Sequence, residues 1–261
     1  MNAIKIRKSI RNYQEILLSN DDLNKIKTYL LDPKNLIGPF GNQFELEILM
    51  ETNLKQKEKI GTYGIIKNPA GFIIGKSPSD SKHLFEFGYV FENLILFLTA
   101  NGIGTCWLAG SFKRNEVNSS MSFSKDEIIP AITPIGYAKE KKHFKERLQR
   151  KVIKADHRKP GDQLFFYKDF DHPLEDHQGL VYQKALEYVR IAPSAKNKQP
   201  WRILVSQDYS KFHFYISFAL DHDKSFACPP EYLDIGIAYH HFEAGMKENG
   251  IPGKLIIEDP Q

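Results

Sequence analysis

Cysteine is nearly absent: Cys106 and Cys228 are the two thiols in 261 residues, and neither lies in a C-x-x-C or similar spacing. A disulfide framework and a thiolate metal site are therefore not expected. The nine histidines are scattered, with His240-His241 as their single adjacent pair, which offers no ligand pattern for a metal. No apolar run approaches the roughly 18 residues of a membrane span, and Met1 to Arg11 lack the apolar stretch of an export signal, so a cytoplasmic protein without a membrane role is expected. Charge of one sign is also scarce. Lys and Arg number 36 against 32 Asp and Glu, interspersed along the chain, so a nucleic-acid or membrane-surface binder has little support. What remains is a chain that is 41% hydrophobic and 12% aromatic, sufficient for the core of one large domain or two small ones.

The densest chemistry lies between Ala192 and Arg202. Val181, Ala185, Tyr188, Val189 and Ala192 recur at helical spacing, and Pro193 ends that helix because its ring fixes φ and disfavours helical geometry at the residue before it. Trp201 to Ser206 reads as a strand, so Ser194 to Gln199 form a polar connection between two rigid elements. Asn197 and Gln199 each offer an amide donor and acceptor, which suits the alternating edge of a flat heterocycle. The same residues can equally form an Asx turn and a helix stop and nothing more. At the other end of the chain, Arg7, Lys8, Ser9 and Arg11 fall within five positions. Guanidinium forks and a hydroxyl suit a phosphate, the plain alternative being a solvated basic terminus.

Between these points the pattern predicts a helix over 21–31 capped by Asn20, an alternating strand over 44–50, and a short buried strand over 70–75. Residues 53–59 read as solvated surface. Phe85 to Ala100 is apolar nearly all round, which predicts a central buried helix stopped by Asn101-Gly102. Cys106 in the apolar run after it reads as packing. Ser124 to Glu127 has capping-box spacing, though Pro130 leaves little room for a helix after it, and 139–151 reads as a charged surface connection. In the last third, 211–217 and 255–257 read as strands and 232–248 as a helix. Gly88 and Gly102 lie 14 positions apart, as do Gly236 and Gly250, and the second glycine of each pair sits in Asn-Gly-Ile, which suggests an internal repeat.

Five segments carry a family resemblance, one of them Ile132 to Ala138, which is similar to a Pro-x-Gly-Tyr strand. Pro193-Ser-Ala-Lys-Asn-Lys-Gln-Pro-Trp201 resembles the Pro-Ser-x-x-Asn-x-Gln-Pro-Trp loop of the FMN-dependent nitroreductases. Arg7-x-Ser9-x-Arg11 resembles their Arg-x-Ser-x-Arg, Ile103 to Gly110 their strand and loop after the central helix, and His157-Arg-Lys-Pro160 their carboxy-terminal basic tail. The resemblance implies an α+β nitroreductase-like fold with two tandem halves, 1–166 and 167–261, forming an intrachain pseudo-dimer. In that family the asparagine loop lies early in the chain; here Gly38 to Phe44 stand in its place and the second half supplies the loop, so one intact site is implied in a monomer. Its cofactor-binding residues would be Arg7, Lys8, Ser9, Arg11 and Arg158 toward the phosphate and ribityl end, Leu108, Ala109 and Gly110 by main chain, and Pro193, Ser194, Ala195, Asn197 and Gln199 around the ring. The implied activity is oxidation of NADH or NADPH through FMN, with a small electrophilic acceptor such as a nitroaromatic or quinone reduced in a ping-pong cycle. No side chain is needed as an acid, base or nucleophile. An FMN-binding protein without efficient turnover is the alternative.

Overall fold

The computed structural model describes residues 2–50, 60–114, 117, 126–139, 157–175, 180–218 and 225–257. The expected solvated segment 53–59 lies outside them, as does the surface connection from residue 140 onward.

Two long helices form the centre. Helix α3 (Ser81–Ala100) begins one turn earlier than its apolar run, because Asp80 caps it by accepting the His83 amide at 3.1 Å. Phe87, Phe91, Leu94, Ile95 and Leu98 are fully buried on it, each stabilising the fold by about 1.5–3 kcal/mol. Helix α5 (Pro230–Glu248) crosses α3 at two glycines. A Cβ on Gly88 would collide with the Leu233 carbonyl, and one on Gly236 with the Phe85 carbonyl. Leu233 precedes Gly236 by the same three positions that separate Phe85 from Gly88. The two helices also end alike: Gly102 (φ 75°) and Gly250 (φ 68°) take left-handed conformations, and the amides of Ile103 and Ile251 return to the carbonyls of Leu98 and Met246 at 2.9 and 3.0 Å. Every one of these pairs is separated by 148 positions.

Among the described residues three sheets lie around this crossing. The strands β1 (Leu46–Met50), β2 (Gly71–Gly75), β4 (Gly104–Thr105) and β6 (Ile132–Gly136) form an antiparallel sheet in the order β1-β2-β6-β4. One face packs on α3, and the other on Tyr13, Ile60, Phe112 and Ile129. The pair β3 (Ser77–Pro78) and β5 (Glu127–Ile128) lies apart from it. The third sheet has β8 (Trp201–Val205) between β7 (Phe165–Tyr167), which is parallel to it, and β9 (Phe212–Ile216), which is antiparallel. Trp201, Ile203 and Val205 alternate inward, the first two packing with α5 and α4 (Gln183–Ile191). Strand β7 runs across position 166 and joins this third sheet, so the 157–167 segment packs with the later part of the chain.

Several local expectations are corrected. The cap of α2 (Asn20–Leu31) is Ser19, whose Oγ accepts the Asp22 amide at 3.1 Å, because the helix starts one residue earlier than its apolar spacing suggested. Glu127 lies in β5, in keeping with the little room Pro130 leaves for a helix, and Ser124 is outside the described residues. Leu255 to Ile257 form no strand: Ile256 and Ile257 are exposed, and no neighbouring strand pairs with them among the described residues. An apolar run without a partner gains nothing from extended geometry. Val181 is exposed, lying in a short 3₁₀ turn before α4.

Candidate functional site

The amino-terminal arm is anchored first. Asn2 caps α1 (Ala3–Ile6) and its amide also reaches Tyr188 and Glu248, while Ile4 packs on Leu96 and Tyr188. The chain then leaves α1 in extended form. Ser9 pairs in parallel with Thr105, the Ile10 amide donates to the Thr105 carbonyl at 2.7 Å, and the Lys67 amide donates to the Arg11 carbonyl at 2.9 Å. Extended geometry alternates the side chains. Arg7 and Ser9 are accordingly half-buried and Lys8 between them is exposed. Arg11 is half-buried as a residue, yet its Nε and Nη1 are buried without a hydrogen-bond acceptor among the described residues. Donors of a cation buried in this way are costly unless an acceptor arrives.

The Pro193–Gln199 loop is held by its own side chains. Ser194 Oγ accepts the Gln199 amide at 2.9 Å. Asn197 Oδ1 accepts from Arg158 at 2.9 Å, and Asn197 Nδ2 donates to the His157 carbonyl at 2.8 Å. Gln199, 2% exposed, accepts the Lys159 amide at 2.9 Å and donates to the Asn197 carbonyl at 3.1 Å. The amides of Asn197 and Gln199 thus tie the 157–159 segment to the loop. Arg158 also donates to the Ile191 carbonyl at 3.3 Å, at the end of α4. Lys196, Asn197 and Gln199 have φ of 50°, 57° and 50°. Three left-handed non-glycine residues in four positions store strain of about 1–2 kcal/mol each, which persists only because these bonds over-determine the turn. From the α5 side, Asp234 accepts the Ala195 amide with both oxygens, at 3.0 and 3.1 Å. Burial raises the Asp234 carboxyl well above its ordinary value, and nearby Glu231 adds to that.

Leu108 to Gly110 close the other side. Leu108 exchanges both main-chain bonds with Ile132, at 3.0 and 2.9 Å. The Ala109 carbonyl accepts from Arg114, whose other nitrogen donates to the Ser225 carbonyl at 2.9 Å. Gly110 packs so closely on Ser225 that a Cβ there would lie 2.7 Å from its Oγ. Phe226 follows, with Lys196 Nζ 5.9 Å from its ring, so this loop and the 193–199 loop approach a common place. Behind it, Trp107 donates its indole N–H to buried Glu92 at 2.7 Å.

The 157–159 segment and the 193–199 loop therefore meet at the end of α4, where α1 also packs through Ile4 and Ile191, while residues 7–11 run beside Thr105 and Lys67 and 108–110 approach the loop through Phe226. Asp234, Glu92, Trp107 and Arg114 were not singled out from sequence. A signal existed for Glu92: it and Glu86 are the only charges between Leu84 and Ala100, and a carboxylate in an otherwise apolar helix needs a partner.

The family model described as "Putative TM nitroreductase" matches residues 1–246. The chain belongs to this nitroreductase family. A "Putative NADH dehydrogenase/NAD(P)H nitroreductase" of Archaeoglobus fulgidus is 26% identical over 161 residues, covering 56% of this chain and 89% of that protein. The crystal structure of a putative nitroreductase from Thermotoga maritima superposes with a TM-score of 0.59 at 23% identity, over 95% of this chain and 85% of that one. The α+β nitroreductase-like fold implied by the motifs is the fold observed. Among the described residues no helix is long and apolar enough to cross a membrane.

Proposed function

We propose that this nitroreductase-family chain is an FMN-dependent NAD(P)H oxidoreductase that reduces a small electrophilic acceptor. The observation that carries the reading is Arg11, whose buried Nε and Nη1 have no acceptor among the described residues and stand on an arm that also presents Arg7 and Ser9. An anionic group with several acceptor oxygens fits that donor set, and the phosphate, ribityl and pyrimidine oxygens of FMN provide one. When bound, FMN supplies hydride acceptance from NADH or NADPH and electron delivery to the acceptor. Arg7, Ser9 and Arg158 hold the phosphate end, with Lys8 contributing charge from the exposed side. Arg11 meets the oxygens nearer the ring. Pro193, Ser194, Ala195, Asn197 and Gln199 form one wall through their strained turn, and the Leu108, Ala109 and Gly110 backbone forms the other. These walls keep water from the reacting face.

The chain functions in this reading as an internal pseudo-dimer of the expected lobes 1–166 and 167–261, with the 157–167 segment packed on the second lobe. Support comes from the helix crossing and caps repeated at 148 positions. The Arg-x-Ser-x-Arg arm occurs once and the asparagine loop once, so a monomer carries one site. Purified protein should contain about one FMN per chain, bleached by anaerobic NADPH or NADH, and Arg11→Ala should weaken FMN binding at least tenfold, as expected for losing charge-assisted bonds. Two flavins per chain would overturn the single-site reading. Flavin that stays oxidised would leave a binding protein, and a chain that takes up no FMN would end the proposal.

A further inference from the structure

Glu92 is fully buried in α3, yet three elements converge on it. Its Oε2 accepts the Trp107 indole at 2.7 Å, and its Oε1 lies 3.0 Å from Nε2 of His241 in α5. His241 Nδ1 lies 2.9 Å from the Tyr188 carbonyl of α4. That carbonyl can only accept, so Nδ1 carries a proton, and the contact between Nε2 and Oε1 then requires another between them. Both carboxyl oxygens and both ring nitrogens are thereby engaged. Although burial acts upward on the Glu92 carboxyl, His241 and the charge of Arg7 bring it below its ordinary value.

A brace that served only the α3–α5 crossing would be expected on both sides of it, as the glycines and caps are. It is not repeated. The residue 148 positions after Glu92 is His240, which burial pushes down to about 4 and which packs edge-on against Tyr89 at 4.7 Å. The residue 148 after Trp107 is Leu255. The buried carboxylates Glu86 and Asp234 repeat at 148 positions, but the Glu92 contact with an indole does not, and it stands on the side that carries the 108–110 loop.

We infer that Glu92 is a positioning residue of the flavin site: by fixing the Trp107 indole it sets the backbone of Leu108, Ala109 and Gly110 against the ring. This rests on the flavin reading above. Because the backbone it places faces the ring, its loss is felt by riboflavin as much as by FMN. A phosphate-binding residue affects FMN alone.

The test compares wild type, Glu92→Gln and Trp107→Phe as full chains, measuring FMN and riboflavin dissociation constants, flavin visible circular dichroism and the urea midpoint of the apoprotein. Both variants should weaken FMN and riboflavin by a similar factor of about ten, the effect of one lost charge-assisted bond. The flavin dichroism should change as well. Trp107→Phe leaves the Glu92–His241 pair intact and decides the matter if Glu92→Gln does not fold. Flavin affinity within twofold of wild type and unaltered dichroism, with only the urea midpoint lowered, would show a helix brace and overturn the inference. Wild type that binds neither flavin overturns the flavin reading itself, and this inference with it.

Discussion

Replacing Gly236 with alanine sets two physical effects against each other at the helix crossing. Intrinsic propensity favours alanine in a helix interior by about 1 kcal/mol. Packing opposes it. The new Cβ would sit inside the van der Waals envelope of the Phe85 carbonyl and 2.9 Å from the Tyr89 amide nitrogen, both backbone atoms of α3 that cannot rotate aside. Overpacking of a well-filled core costs about 1–3 kcal/mol when side chains can yield, and the upper end or more applies when only backbone is available. The net expectation is a loss of about 2 kcal/mol, opposite in sign to the propensity effect. For a chain of this size that lowers the melting midpoint by roughly 4–8 °C. Urea unfolding of the apoprotein followed by circular dichroism measures it. Gly253→Ala is the control, since nothing lies within 4 Å of its Cβ position and its φ is not left-handed. Because Asp234 lies two residues from Gly236 and holds the Ala195 amide, FMN affinity should fall in Gly236→Ala and stay unchanged in the control. A Gly236→Ala protein as stable as wild type, or more so, would refute the crossing geometry.

Other outcomes follow from the same contacts. Asp234 binds its proton more tightly folded than unfolded, so its contribution is full below the ordinary carboxylate value of 3.8 and is lost as pH rises through the raised folded value. Asp234→Asn keeps an acceptor for the Ala195 amide without the charge. It should match wild type near about pH 4 and exceed it in urea midpoint near about pH 8, and a difference that does not vary with pH would remove this account. Gly102→Ala and Gly250→Ala meet no atom within 4 Å, so each should cost only left-handed strain, about 1 kcal/mol, and the two losses should agree within about 0.5 kcal/mol in denaturant titrations. Markedly unequal losses would indicate that the two caps are not equivalent.

How far the chain could be read before its structure depends on the range of the interaction concerned. The central helix was legible because Phe87, Val90, Phe91, Leu94 and Leu98 declare burial by spacing alone, and its stop by Asn101-Gly102 is a local backbone preference. The helix end at Pro193 and the strand from Trp201 were legible for the same reason. The site was legible as motifs and opaque as geometry. Asn197 and Gln199 are amides that could face a ligand or the protein, and the choice is made by His157, Arg158 and Lys159, some forty positions away. Nor could spacing show that Glu92 and His241, 149 residues apart, share one proton-bearing contact. Leu255 to Ile257 illustrate the converse: their strand propensity is real, but a strand needs a neighbour, and among the described residues none pairs with them. Among the departures from the repeated crossing, the one at Glu92 is the most informative. Where α3 and α5 agree at Gly88 and Gly236, close backbone packing dictates the residue, and where they differ at Glu92 and His240, Glu92 has the Trp107 indole to hold while His240 packs on the Tyr89 ring.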